Sequence, residues 1–133
     1  MKSKKDFKLV KCSKKYWEFV RNLRMDGRVI DGFIQTRPIT TEQQNIYMKE
    51  HSKYYRIALV DDIPAGFVGV IDDDIRVCTH PDFQGIGLGK FMITECMKIW
   101  PTAYAKIKID NDKSIKLFES VGFTQKYLIY TKD

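Results

Sequence analysis

The run Gln84-Gly85-Ile86-Gly87-Leu88-Gly89-Lys90 lies between an apolar strand-like stretch and residues whose apolar positions recur at helical spacing. A strand that enters a helix through three alternate glycines must turn sharply on a nearly bare main chain. Glycine accepts left-handed dihedrals and lets N–H groups crowd around an anion that a Cβ would keep away. The helix beginning there adds unpaired donors and the positive end of its dipole, so the segment reads as a phosphate cradle. Two common templates do not fit. A Walker loop needs Gly six residues before its Lys and Ser or Thr after it, where this chain has Gln84 and Phe91. The dinucleotide fingerprint fails because Gly85-x-Gly87 meets Lys90 at its third site and Gly87-x-Gly89 meets Met92. What remains is Gln-x-x-Gly-x-Gly.

A second segment reads Asn111-Asp112-Lys113-Ser114-Ile115-Lys116-Leu117-Phe118-Glu119-Ser120-Val121-Gly122-Phe123. The glycine run resembles the pyrophosphate-binding motif of the GNAT superfamily, the N-acyltransferases that use acyl-coenzyme A. The second segment resembles that superfamily's later helix, Asn-x-x-(small)-x-x-Leu-aromatic-x-x-x-Gly-Phe. With the strand between them the two motifs cover residues 66–131, and the first half follows the superfamily in outline. The resemblance implies an α/β (α+β) fold: a mixed, mostly antiparallel sheet with flanking helices, whose fourth and fifth strands splay so that a thioester arm enters the gap. The competing reading of the glycine run is an ordinary turn between strand and helix.

At 133 residues the chain is expected to be one domain, 1–133. Its 44% hydrophobic and 30% charged residues are globular values. No apolar run approaches the roughly 20 residues that span a bilayer, and the lysine-rich start lacks a signal peptide's apolar core. A cytoplasmic protein with no membrane partner is expected. Cys12, Cys78 and Cys96 are odd in number and, like His51 and His80, lack metal-ligand spacing, so reduced thiols and no metal are expected. The formal charge of +6 is concentrated at the start, where seven of the first fifteen residues are lysine. Only Phe7, Tyr16 and Trp17 accompany them, too few stacking rings to favour nucleic acid over a solvated terminus.

Along the chain, residues 7–11 read as a strand and Ser13 as the cap of a helix with Tyr16, Trp17, Val20 and Leu23 on one face. Residues 25–38 read as a loop. Thr40 or Thr41, with Gln43 or Gln44, opens a helix running to about Lys53. Strands follow at 55–60, 66–71 and 74–79, the first two joined around Asp61-Asp62-Ile63-Pro64 and the last two at Asp72-Asp73. Leu88, Phe91, Met92, Cys96 and Ile99 mark a helix stopped by Pro101, and 104–109 reads as the next strand. Asn111 caps a last helix that Gly122 ends, and 127–131 is expected to complete the sheet.

The resemblance implies the site residues. Gly85, Gly87, Gly89 and Lys90, with Ile86 and Leu88 between them, would hold the pyrophosphate of acetyl-CoA through main-chain N–H groups, with Gln84 ordering the loop. Val77 and Thr79 would pair with the pantetheine arm and supply an oxyanion donor, while Asn111 and Ser114 match positions that contact that arm. Phe118 stands where the family often has the tyrosine that protonates the departing thiolate, and phenylalanine has no proton to give. Tyr104, Tyr127, Tyr130 or solvent are the alternative donors, each tyrosine being equally readable as core packing with a wet hydroxyl. For the base, Asp74 within the cluster Asp72-Asp73-Asp74, His80 and water are the candidates. Cys78 reads as a packed thiol, since no base neighbours it in sequence.

By the same resemblance the first half carries the acceptor. Arg21 and Arg24 could hold a phosphorylated acceptor or pair with Glu18. A lysine amine near pKa 10.4 is neutral in only about one molecule in two thousand at pH 7, a cost of roughly 4 to 5 kcal/mol, against about 1.4 for an amine near 8. A weak base site therefore tilts the expectation toward a small amine or amino sugar, acetylated by direct attack. The alternatives are a peptide N-terminus as acceptor, or a fold that holds acyl-CoA without turnover. A homodimer is left open.

Overall fold

The computed structural model describes residues 5–29 and 38–133, so part of the expected 25–38 loop lies outside the described residues. Two aspartate pairs set its hairpins. Asp61 and Asp62 have φ of 48° and 68°, Asp72 and Asp73 of 52° and 65°. Left-handed dihedrals at both central positions give the primed turn whose twist matches that of paired strands. These turns join β2 (Tyr55–Val60), β3 (Ile63–Ile71) and β4 (Asp74–Thr79). β1 (Phe7–Lys11) pairs on the other side of β2, giving an antiparallel sheet in the order β1-β2-β3-β4. β3 starts earlier than the sequence suggests, because a register shift between Ala58 and Leu59 accommodates Pro64 in the ladder.

The sheet alternates its side chains between two cores. Ala58, Val60, Val68, Val70 and Ile75 pack with Leu88, Met92, Ile93 and Cys96 of α3 (Leu88–Ile99) and Phe118 of α4 (Asp112–Ser120). On the opposite face Ile57, Leu59, Phe67 and Cys78 meet Trp17, Val20 and Leu23 of α1 (Trp17–Arg24) and Met48 of α2 (Thr41–His51). Thr40 and Gln43 close a reciprocal capping box at the start of α2, with bonds of 3.1 and 2.9 Å. Ser13 makes no side-chain cap; a short 3₁₀ turn, Lys14–Tyr16, leads into α1 instead. No described helix is long and apolar enough to cross a membrane.

Two expected strands do not form. Residue Tyr104 makes one parallel bridge to Asp74, after which 105–109 joins no strand ladder among the described residues, and the Lys108 carbonyl accepts the Asn111 N–H at 2.9 Å. Residues 127–131 complete no sheet; Tyr127, Leu128, Ile129 and Tyr130 are all exposed. A strand needs a neighbour to take its main-chain hydrogen bonds, and among the described residues the last stretch has none. The 104–107 part still keeps a strand's alternation, with Ala105 and Ile107 packed on the α3–α4 core and Tyr104 and Lys106 exposed; the alternation ends there, since Ile109, two residues beyond Ile107, is exposed.

Candidate active site

β4 and the 104–109 stretch form a fork. At its base the Ile75 N–H donates to the Tyr104 carbonyl at 2.8 Å and the Tyr104 N–H to the Asp73 carbonyl at 2.7 Å. Beyond that bridge the two stretches part, with no ladder between them. The direction of main-chain groups alternates along a strand, so the N–H of Val77 and of Thr79 point the same way as that of Ile75, into the opening. The His80 N–H, out of phase by one, donates to Ala65 on the β3 side at 2.7 Å. Two main-chain donors thus face a gap that no strand among the described residues fills.

The glycine run stands at the far end of β4. Gly85 and Gly87 have φ of 80° and 89°, and a Cβ at either would meet nothing within 4 Å. Glycine is there for its dihedral, with open space in front of it. Gly87 is the N-cap of α3 and, among the described residues, no side chain bonds the donors that follow, which leaves the helix end available to an anion. Gly89 differs: a Cβ there would lie 3.0 Å from Leu117 Cδ2, so its absence lets α3 and α4 approach. Ile86 and Lys90 are exposed and Leu88 is buried. Gln84 is held by Lys113, whose ammonium donates to Gln84 Oε1 at 2.6 Å. Sequence reading missed Lys113; its signal was only its place two residues after Asn111, in the first turn of the helix that follows.

Asn111 accepts the Ser114 N–H at 3.1 Å and so caps α4, with Ser114 in its first turn. Phe118 is buried, edge-on to Phe123 at 5.1 Å between ring centres, and forms part of the α3–α4 core. Asp74 and Tyr104 come together at the base of the fork, and Asp74 Oδ1 is buried there with no hydrogen-bond partner among the described residues. Tyr104 is half-exposed, whereas Tyr130 stands apart in the exposed C-terminal stretch. His80 caps the turn Pro81–Phe83 by accepting the Asp82 N–H at 3.1 Å.

On the α1 face, Arg21 is paired with Glu18 and donates to the Ile39 carbonyl at 2.9 Å, tying α1 to the approach to α2. Arg24 lies near enough to β4 to act on Cys78: burial pushes that thiol up to about 12, against the opposing charge of Arg24. A thiol so placed stays protonated and is no nucleophile at neutral pH. A groove of about 530 Å³ opens beside α1, lined by Phe19, Asn22, Leu23, Pro64, His80 and Phe83. At its rim Arg28 pairs with Asp26 at 2.8 Å and Asp82 at 3.4 Å, and the Arg28 guanidinium holds the Asp26 carboxyl down at about 2.

The architecture has close counterparts. The spermidine N-acetyltransferase of Vibrio cholerae, solved with CoA and spermine, superposes with a TM-score of 0.77 at 16% identity, covering 91% of this chain and 82% of that one. A domain from Methanocaldococcus jannaschii gives 0.79 at 21% identity over 92% and 90%. An aminoglycoside N-acetyltransferase in complex with CoA gives 0.72 at 16% identity over 100% and 98%. No curated protein matches the sequence at a significant level. The profile of the acetyltransferase (GNAT) family matches residues 17–123, most of the chain and all of the fork and glycine run, and the chain belongs to that family.

Proposed function

We propose that this acetyltransferase moves an acetyl group from acetyl-CoA to a small primary amine by direct attack. The observation that carries the reading is the joining of a bare cradle to a fork: uncapped donors at one end of β4, and unpaired main chain facing a gap along it. Linked phosphates suit the N–H groups after Gly87, supported by Lys90 and Lys113, and an extended amide-bearing arm suits Val77 and Thr79. Bound acetyl-CoA would supply an acyl thioester. Around it the chain's own groups have separate tasks. The Val77 and Thr79 N–H groups orient the arm and offer a donor to a developing oxyanion. Asp74, whose Oδ1 has no donor among the described residues, is the carboxylate at the fork's base that would take a proton from an ammonium acceptor entering there. Tyr104 is the tyrosine whose main chain closes that base; Phe118 can pack but not donate. The groove beside α1 opens at the His80–Phe83 end of β4, the opposite end from Asp74, and its rim carboxylates Asp26 and Asp82 are paired with Arg28, so it is not assigned to the acceptor. Amine acceptance is also what the spermine-bound and aminoglycoside-directed relatives suggest.

A second reading rests on Phe118: a fold that holds acyl-CoA without turnover. One assay separates them. Release of CoA thiol from acetyl-CoA is measured across polyamines, aminoglycosides, amino sugars and short peptides, with CoA binding followed in parallel. Release with polyamines or amino sugars supports the proposal, release confined to peptides moves the acceptor to a protein N-terminus, and binding without release supports the second reading.

A further inference from the structure

We infer that the acceptor amine also carries an acidic group, a carboxylate or a phosphate, which Arg76 of β4 binds; this rests on the acetyl transfer proposed above and names the class of its acceptor. One face of the fork is closed. Val77, Ala105 and Ile107 pack against the α3–α4 core, so both prongs turn side chains into it. An acceptor therefore reaches the gap from the α1–α2 side. Side chains alternate along a strand, and Ile75 lies in the one core while Cys78 lies in the other, so Asp74 and Arg76 face the same side as Cys78. They are successive residues on that face, roughly 6–7 Å apart along the strand.

The surroundings of Arg76 are arranged by a missing side chain. Gly69 of β3 pairs with Tyr55 on β2 and with Arg76 on β4. A Cβ at Gly69 would sit 2.5 Å from Tyr55 Cδ1, so the Tyr55 ring lies over the glycine. Its hydroxyl shares a 2.8 Å hydrogen bond with that of Tyr47 from α2. Burial and Tyr47 push the Tyr55 hydroxyl above its usual range, against the charges of Arg76 and Arg24, so both guanidiniums lie near it. Two cations and two phenol hydroxyls thus gather on the face from which the acceptor comes. Arg76 is half-buried and forms no ion pair among the described residues. Such a guanidinium favours an anion, and its planar fork matches the paired oxygens of a carboxylate or phosphate. Asp74, whose Oδ1 has no donor among the described residues, stands beside it for the ammonium end. A small molecule with both an amine and an acid satisfies both residues, whereas a polyamine would meet Arg76 and Arg24 as like charges.

Matched acceptors test this by release of CoA thiol: glycine, alanine and glutamate against their α-carboxamides, phosphoethanolamine against ethanolamine, and spermine. The acidic member of a pair is expected to have a kcat/KM at least about tenfold above its neutral partner, through a lower KM. The pair that shows it tells carboxylate from phosphate. A carboxamide's amine is the less basic, so a preference for the amino acid runs against amine ionisation and reports the acid group itself. Arg76→Gln should collapse the preference toward one and Arg76→Lys should keep part of it, with CoA titration and circular dichroism showing that each variant is folded. The unaltered enzyme's preference is a test in its own right if a variant does not fold. Equal or faster release with the neutral partners or spermine overturns the inference and leaves acetyl transfer to amines standing. A preference that survives Arg76→Gln overturns the assignment to Arg76. CoA binding without release from any acceptor overturns the proposed transfer and the inference with it.

Discussion

Gly87 is where one residue decides most. Its φ of 89° belongs to glycine, and the donors of α3 begin immediately after it. A β-branched residue there costs about 1–3 kcal/mol of backbone strain. It also sets a side chain in the open space where a phosphate would sit. Gly87→Val is therefore expected to weaken CoA binding at least about tenfold, the equivalent of 1.4 kcal/mol. Isothermal titration checks it, with circular dichroism to show that the fold persists; unchanged affinity would contradict the cradle. Much at this scale was legible, because Gly, Asp and Asn carry their backbone preferences in their chemistry. The Asp61-Asp62 and Asp72-Asp73 turns, the Thr40 capping box and the Asn111 cap all follow from local rules. The distinct role of Gly89 was not legible, since it depends on Leu117 from another helix.

Between elements, Gly89 sets how closely α3 and α4 lie. Substituting valine would force Leu117 aside, and overpacking of this kind costs typically about 1–3 kcal/mol. Gly89→Val should lower the thermal midpoint measurably while weakening CoA binding less than Gly87→Val does; the reverse order would assign Gly89 to the cradle itself. The fork also belongs to this scale, and the sequence could show it only through family resemblance. Residues 104–109 alternate as a strand does, yet what pairs with them is decided by chain far away in sequence. Their departure from β4 after a single bridge, and the unpaired state of 127–131, are outcomes of non-local pairing that periodicity cannot register. The β3–β4 hairpin was legible for the opposite reason, since the two-residue turn at Asp72-Asp73 fixes its register, whereas β2–β3 was legible as a hairpin but not in its register, because β3 begins at Ile63 and the ladder shifts between Ala58 and Leu59.

Across the whole molecule, the two cores each enclose cysteine: Cys12 and Cys78 on one face, Cys96 on the other. Burial pushes their thiols up from 9.0 to about 11, about 12 and about 11. Ionised thiolates are thus disfavoured in the folded chain relative to the unfolded one. The stability held by the raised values is fully present below about pH 9 and is lost as pH rises through 11 to 12. Thiolate absorbance should stay absent in the native protein well above pH 9 and then appear together with loss of helical circular dichroism. Titration near pH 9 with the fold intact would show the thiols to be accessible.

The central claim is that the main chain from 84 to 90 holds the linked phosphates of CoA while β4 lines the path of its arm. Titrating CoA into isotope-labelled protein and following backbone amides by NMR tests it most directly. The largest shifts are predicted at Gly85, Gly87, Leu88, Gly89 and Lys90, followed by Val77 and Thr79. Saturable binding with those amides unmoved, and the shifts gathered elsewhere, would contradict the account.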